Sequence, residues 1–121
     1  MSDETRLHEH PVAGIDRRAG AVVVRLAGEL DLYNAPQLRA ALLEVCEEQP
    51  ERLVIDLAEV EFIDSTALGV LIEARASLEN RQAFLLAAPG LETHRALSIS
   101  GLDRHLAVHE TVEAALAAPL S

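Results

Sequence analysis

The feature that most constrains this chain is an alternation of short apolar runs with stretches of helical periodicity. Ala21-Val22-Val23-Val24-Arg25-Leu26 is rich in β-branched residues and reads as a strand. Arg52-Leu53-Val54-Ile55-Asp56-Leu57 and Phe84-Leu85-Leu86-Ala87 are short continuous apolar runs, the pattern of buried strands. Between the first two runs, Leu38, Ala41, Leu42 and Val45 recur at helical spacing, with Arg39, Glu44, Glu47 and Glu48 on the other side. Asn34 is placed to cap that helix, Pro36 falls in its first turn where a missing N–H does no harm, and Pro50 forbids continuation. Between the second and third runs, Ala67, Leu71, Ala74 and Leu78 share one helical face.

The ends of the chain extend the same order. An extended segment from Val12 is followed by Asp16-Arg17-Arg18-Ala19-Gly20, so a hairpin is the economical link to the first strong strand. Glu59 to Phe62 reads as a connection. A helix from Glu92 to Ser100 should stop at Gly101, in the left-handed C-terminal position, with Leu102 folding back onto its last turn. Leu106-Ala107-Val108 is a short strand candidate, and Thr111 can cap a final helix through Ala117. Repeated β-α units need parallel neighbours joined by crossovers. The expected fold is therefore α/β: a small mixed β-sheet, an N-terminal hairpin followed by β-α repeats, with about four helices. It spans residues 11–118, after a polar, aperiodic segment of residues 1–10 expected to be a flexible tail.

Composition narrows the functions open to such a domain. Half of the 121 residues are hydrophobic but only 2% are aromatic, so there are few rings to stack on bases or sugars. The formal net charge is −10 and all ten basic residues are arginine. Such a surface repels phosphate backbones and anionic lipids, which argues against nucleic acid and membrane and favours a basic protein partner. Cys46 is the single cysteine, so no intrachain disulfide can form and a reducing compartment suits the chain. With no signal-like run and no bilayer-length apolar stretch, a cytoplasmic location is expected.

Catalytic constellations do not emerge. Without lysine there is no Walker-type Lys, no G-x-G-x-x-G follows a strand, and Ser65 lacks the G-x-S-x-G spacing. His8 and His10 fall in the tail; His105 and His109 bracket a short strand without further local ligands, so no metal or other cofactor is expected. Cys46 is flanked by Glu44, Glu47 and Glu48, the wrong surroundings for a reactive thiolate. The acidic residues show no pair spaced for acid–base work. The expectation is a protein that is not an enzyme.

Ile63-Asp64-Ser65-Thr66-Ala67-Leu68-Gly69 stands apart. It joins a buried strand directly to a helix, which sets Ser65 at or near a helix N-terminus. There, free N–H groups and the macrodipole favour added negative charge. A phosphate would bring about −1.5 to −2 charges and three acceptor oxygens. Asp64, Ser65 or Thr66 could instead serve simply as the N-cap. Leu68 and Ile72 form a ridge about 100° from the core face. That ridge is either a partner's contact patch beside the serine or the margin of a wide buried face.

These segments resemble the STAS-domain anti-sigma-factor antagonists. The resemblance covers nearly the whole chain after the tail: Leu26-Ala27-Gly28-Glu29-Leu30-Asp31 before a capped helix, Leu53-Val54-Ile55-Asp56-Leu57, Phe62 through Leu71, Ser100-Gly101-Leu102, and Thr111 to Leu116. It implies a STAS fold over 11–118 and a phosphorylated serine directly after the Asp of an Asp-Ser-Ser/Thr motif, here Ser65. It further implies binding, when unphosphorylated, to an anti-sigma factor with serine kinase activity, which frees the sigma factor. A PP2C-type phosphatase would reset the switch. By the same resemblance Asp31 lies near the serine on the partner surface, Thr66 takes the second hydroxyl position, and Asp64, Leu68 and Ile72 join the contact region. Ala67 stands where many members have glycine. Some STAS domains work without phosphorylation, so a constitutive adaptor subunit of a transporter ATPase or sensory complex is the alternative.

Overall fold

The computed structural model describes residues 10–120. The tail expected over residues 1–10 lies outside the described residues except for His10. Five strands and four α-helices follow in the order β1 (Val12–Arg18), β2 (Ala21–Leu30), α1 (Ala35–Glu47), β3 (Arg52–Ile63), α2 (Ser65–Ser77), β4 (Phe84–Ala87), α3 (Leu91–Ser100), β5 (Ala107–His109) and α4 (Val112–Ala117). The sheet order is β1-β2-β3-β4-β5, antiparallel between β1 and β2 and parallel elsewhere. The mixed α/β architecture expected from the alternation of runs is the one observed.

Register divides the core into two layers. Val22 pairs with Leu53, and Leu53 with Phe84; Val24 pairs with Ile55, and Ile55 with Leu86. Because side chains alternate along a strand, these residues share one face and pack with Leu38, Leu42 and Val45 of α1, Ala67, Leu71 and Ala74 of α2, and Leu97 of α3. Val23, Val54, Leu85 and Ala87 face the other way, onto Ala115, Val112 and Leu116 around α4. Arg52 ties that small helix down, its Nη1 donating to the Ala115 and Ala118 carbonyls at 2.8 and 2.7 Å.

The stretch expected as a connection is sheet. β3 continues through Ala58 to Ile63, where Ala27 pairs with Glu59, Gly28 with Val60, Glu29 with Phe62 and Leu30 with Ile63. Two register shifts, between Arg25 and Ala27 and between Gly28 and Glu29, put extra residues into β3. Such bulges break the period-two pattern that marks a strand in sequence. Gly28 takes φ 80° at the second shift, a left-handed conformation that suits glycine. Both long strands thus end level, at Leu30 and Ile63.

The helix ends follow the sequence in part. Gly101 closes α3 at φ 80°, and Thr111 accepts from the Ala114 N–H at 2.9 Å to cap α4. Asn34 precedes α1 but makes no cap hydrogen bond. Cys46 is buried, its thiol directed at the Ala74 carbonyl oxygen at 3.4 Å, and burial pushes the thiol up from its ordinary value. No helix among the described residues is long and apolar enough to cross a membrane.

Candidate functional site

Two parallel strands that end side by side deliver their next residues to one place. Asp31 follows β2 and Asp64 follows β3, with the Asp64 N–H donating to the Leu30 carbonyl at 3.0 Å. The C-terminal ends of parallel strands are where α/β sheets usually place their functional groups.

Asp64 fastens this corner with both carboxylate oxygens. Oδ1 accepts from the Ala67 N–H at 3.0 Å, capping α2, while Oδ2 accepts from the Leu32 N–H at 3.1 Å, holding the loop before α1. Of the three residues that could have capped α2, Asp64 is the one that does. Asp31 organises the same loop from within, Oδ1 accepting from the Tyr33 and Asn34 N–H groups at 3.0 and 3.3 Å. The Asn34 side chain is turned back to this loop, accepting from the Asp31 N–H and donating to the Glu29 carbonyl, which explains why it caps nothing.

With the cap supplied by Asp64, Ser65 is the first residue of α2 and is exposed, as is Thr66. The first N–H groups of a helix have no acceptor within it. Among the described residues no acceptor is placed on the Ser65 or Thr66 N–H either. Asp31, Asp64, Ser65 and Thr66 are therefore brought together. The apolar ridge is not. Leu68 is buried at 8% exposure and belongs to the core, whereas Ile72 is 44% exposed. The physical reason is that α2 packs against the sheet and α1 at once, so its apolar arc is wide. The surface stripe runs instead along Ser65, Gly69 and Ile72, at helical spacing. A Cβ added at Gly69 would meet nothing within 4 Å, so no contact among the described residues requires a glycine there.

Exposed apolar side chains stand at the same end of the sheet as the start of this stripe. Leu32 and Tyr33, in the loop that Asp64 holds, are 59% and 76% exposed, and Phe62 at the end of β3 is 50% exposed. Of the chain's one tyrosine and two phenylalanines, only Phe84 is buried, so two of three rings lie at this end of the sheet. A cavity of about 470 Å³ opens between the starts of α1 and α2, lined by Leu32, Ala35, Pro36, Arg39, Thr66 and Val70. At its edge Arg39 pairs with Glu73, Nε to the two carboxylate oxygens at 2.9 and 2.8 Å and Nη2 at 2.7 Å. The guanidinium's hydrogen bonds hold the Glu73 carboxyl below its ordinary value. Leu32, Tyr33, Phe62 and Arg39 were not singled out from the sequence. The available signal was the placement of large apolar residues in a loop, between a strand end and a helix start.

Residues 13–115 match the STAS domain family. Anti-sigma-F factor antagonist RsfB of Mycobacterium tuberculosis is 35% identical over 97 residues, 80% of this chain and 80% of that protein. The chain belongs to the STAS-domain anti-sigma-factor antagonist family. The anti-sigma-B factor antagonist of Listeria monocytogenes is 39% identical to this STAS protein over 71 residues, 59% of this chain and 62% of that one. The crystal structure of an anti-sigma factor antagonist from Mycobacterium paratuberculosis superposes with a TM-score of 0.79 at 34% identity, over 84% of this chain and 87% of that one. Among the described residues of this STAS domain, no group of three or more His, Cys, Asp or Glu is placed to hold a metal ion.

Proposed function

We propose that this protein is a phosphorylation-controlled antagonist of an anti-sigma factor. Unmodified, it binds the anti-sigma factor through the surface around Ser65 and so frees the sigma factor. The anti-sigma factor's own serine kinase activity then ends the interaction: the γ-phosphoryl of ATP passes to Ser65 Oγ, ADP leaves, and the hydroxyl proton is lost. A PP2C-type phosphatase restores the hydroxyl by hydrolysis, releasing inorganic phosphate. Partner contacts are assigned to Asp31, Asp64, Thr66 and Ile72, with Leu32, Tyr33 and Phe62 added and Leu68 acting from beneath as core.

The observation that carries this reading is an exposed hydroxyl at the open start of α2, set among exposed apolar residues. Desolvated apolar and aromatic anchors dominate binding energy, and a dianion in their midst opposes desolvation. Gly69 adds support. A mid-helix glycine costs about 1 kcal/mol relative to alanine, and nothing among the described residues calls for it; a partner's close approach does. Gly69→Ala should therefore raise the thermal midpoint while weakening partner binding. A variant that is stabilised and binds unchanged would remove this support.

The function itself is tested by adding the unmodified protein to a preformed complex of its anti-sigma factor and sigma factor. Size-exclusion chromatography should then show free sigma factor. A complex that survives a molar excess would overturn the reading.

A further inference from the structure

The following rests on Ser65 being the modified residue. A phosphate there enters a corner that already holds Asp31 and Asp64, in a chain of net charge −10. Both carboxylates are acceptors and both are engaged with backbone N–H groups. Among the described residues, the corner can answer a dianion with the Ser65 and Thr66 N–H groups, the exposed Thr66 hydroxyl and a cation. Arg39 is the one arginine among the described residues that lines the cavity shared with Thr66. Arg17 is paired with Glu48, Arg18 with Asp16, and Arg52 with carbonyls of α4.

At rest the Arg39 fork is taken by Glu73. That pair is well aligned yet open to water, with side chains 54% and 43% exposed. Exposed ion pairs are weakly held and readily exchanged. Arginine grips phosphate bidentately, and a doubly charged acceptor competes well against a single carboxylate. We propose that Arg39 is the positioning residue for the Ser65 phosphate, exchanging Glu73 for it when the serine is modified. The exchange has a second consequence. Glu73 is left without its cation at the edge of the apolar groove, so modification at one end of α2 places an uncompensated carboxylate two turns further along it. A docking partner then has two negative groups to desolvate rather than one. A single covalent event thereby spreads along the contact surface.

The test uses full-length protein carrying phosphoserine at position 65, installed during translation so that no kinase is needed. The second ionisation of the phosphate, ordinarily near pKa of about 6, is followed by ³¹P NMR titration. Arg39→Gln should raise that pKa by roughly half a unit, the size expected for an exposed charge pair. Arg39→Lys should restore part of the shift, keeping charge but losing the fork. Glu73→Gln should move it the other way, because Arg39 is no longer contested. A phosphate whose titration is the same in all four proteins overturns the proposal. Failure of the functional reading is seen separately, as a Ser65 that no anti-sigma kinase modifies, and it leaves these titrations intact.

Discussion

Ser65→Asp should weaken binding to the anti-sigma factor about thirtyfold or more, whereas Ser65→Ala should bind as the unmodified protein does. The magnitude follows from burying a charge without a partner. Leaving one charge unpaired in an interface costs about 2–5 kcal/mol, and each 1.4 kcal/mol is about tenfold in Kd. The aspartate would stand at the end of the sheet that carries Leu32, Tyr33 and Phe62, all exposed in the free protein, and next to Asp64, whose oxygens are already engaged. Ser65→Ala removes a hydroxyl from an exposed first-turn position whose cap is supplied by Asp64. Its fold stability should stay within about 0.5 kcal/mol of the parent, the usual range for such a surface change. Isothermal titration calorimetry on the three proteins, with denaturation curves alongside, separates binding from folding. Equal affinities for Ser65→Asp and Ser65→Ala would favour the constitutive adaptor reading instead.

Asp64→Ala should be the most damaging single change in the site, because one carboxylate serves two elements. It loses the α2 cap, worth about 1 kcal/mol, and the charge-assisted bond from the Leu32 N–H, worth about 1.5 kcal/mol at the low end for hydrogen bonds to charged groups. The expected loss is about 2–3 kcal/mol, read as a lower urea midpoint with unchanged slope. Asp64→Asn should fall between, since its amide has one acceptor oxygen for two donors. Binding should suffer beyond the stability loss, because Leu32 and Tyr33 lie in the loop that Asp64 holds. A variant with the parent's midpoint would mean that the loop and α2 are secured by other contacts.

The sequence foretold most where a single periodicity governs a segment. Ala67, Leu71, Ala74 and Leu78 are all buried, as their spacing required, and Gly101 and Thr111 end and begin helices for local reasons. It was least readable where tertiary contacts override that periodicity. The second half of β3 is hidden by bulges, which leave Val60 and Ile63 buried and the residues between them exposed. Leu68 faces the core because α1 stands beside α2, a fact of packing and not of the helix alone. Asn34 has the right residue type for a cap, yet Asp31 and Glu29 claim its side chain. The groove is likewise a product of two helix starts separated by 30 residues in sequence (Ala35 and Ser65). Arg39 and Thr66 become neighbours only once β2 and β3 run parallel and end level.

The most direct measurement is to incubate the protein with its anti-sigma factor and ATP and to map the product by tandem mass spectrometry. One phosphate per chain is expected, on Ser65, and none on the Ser65→Ala variant. A phosphate on Thr66 or another hydroxyl, or an unmodified chain bound stably to an active kinase, would contradict it.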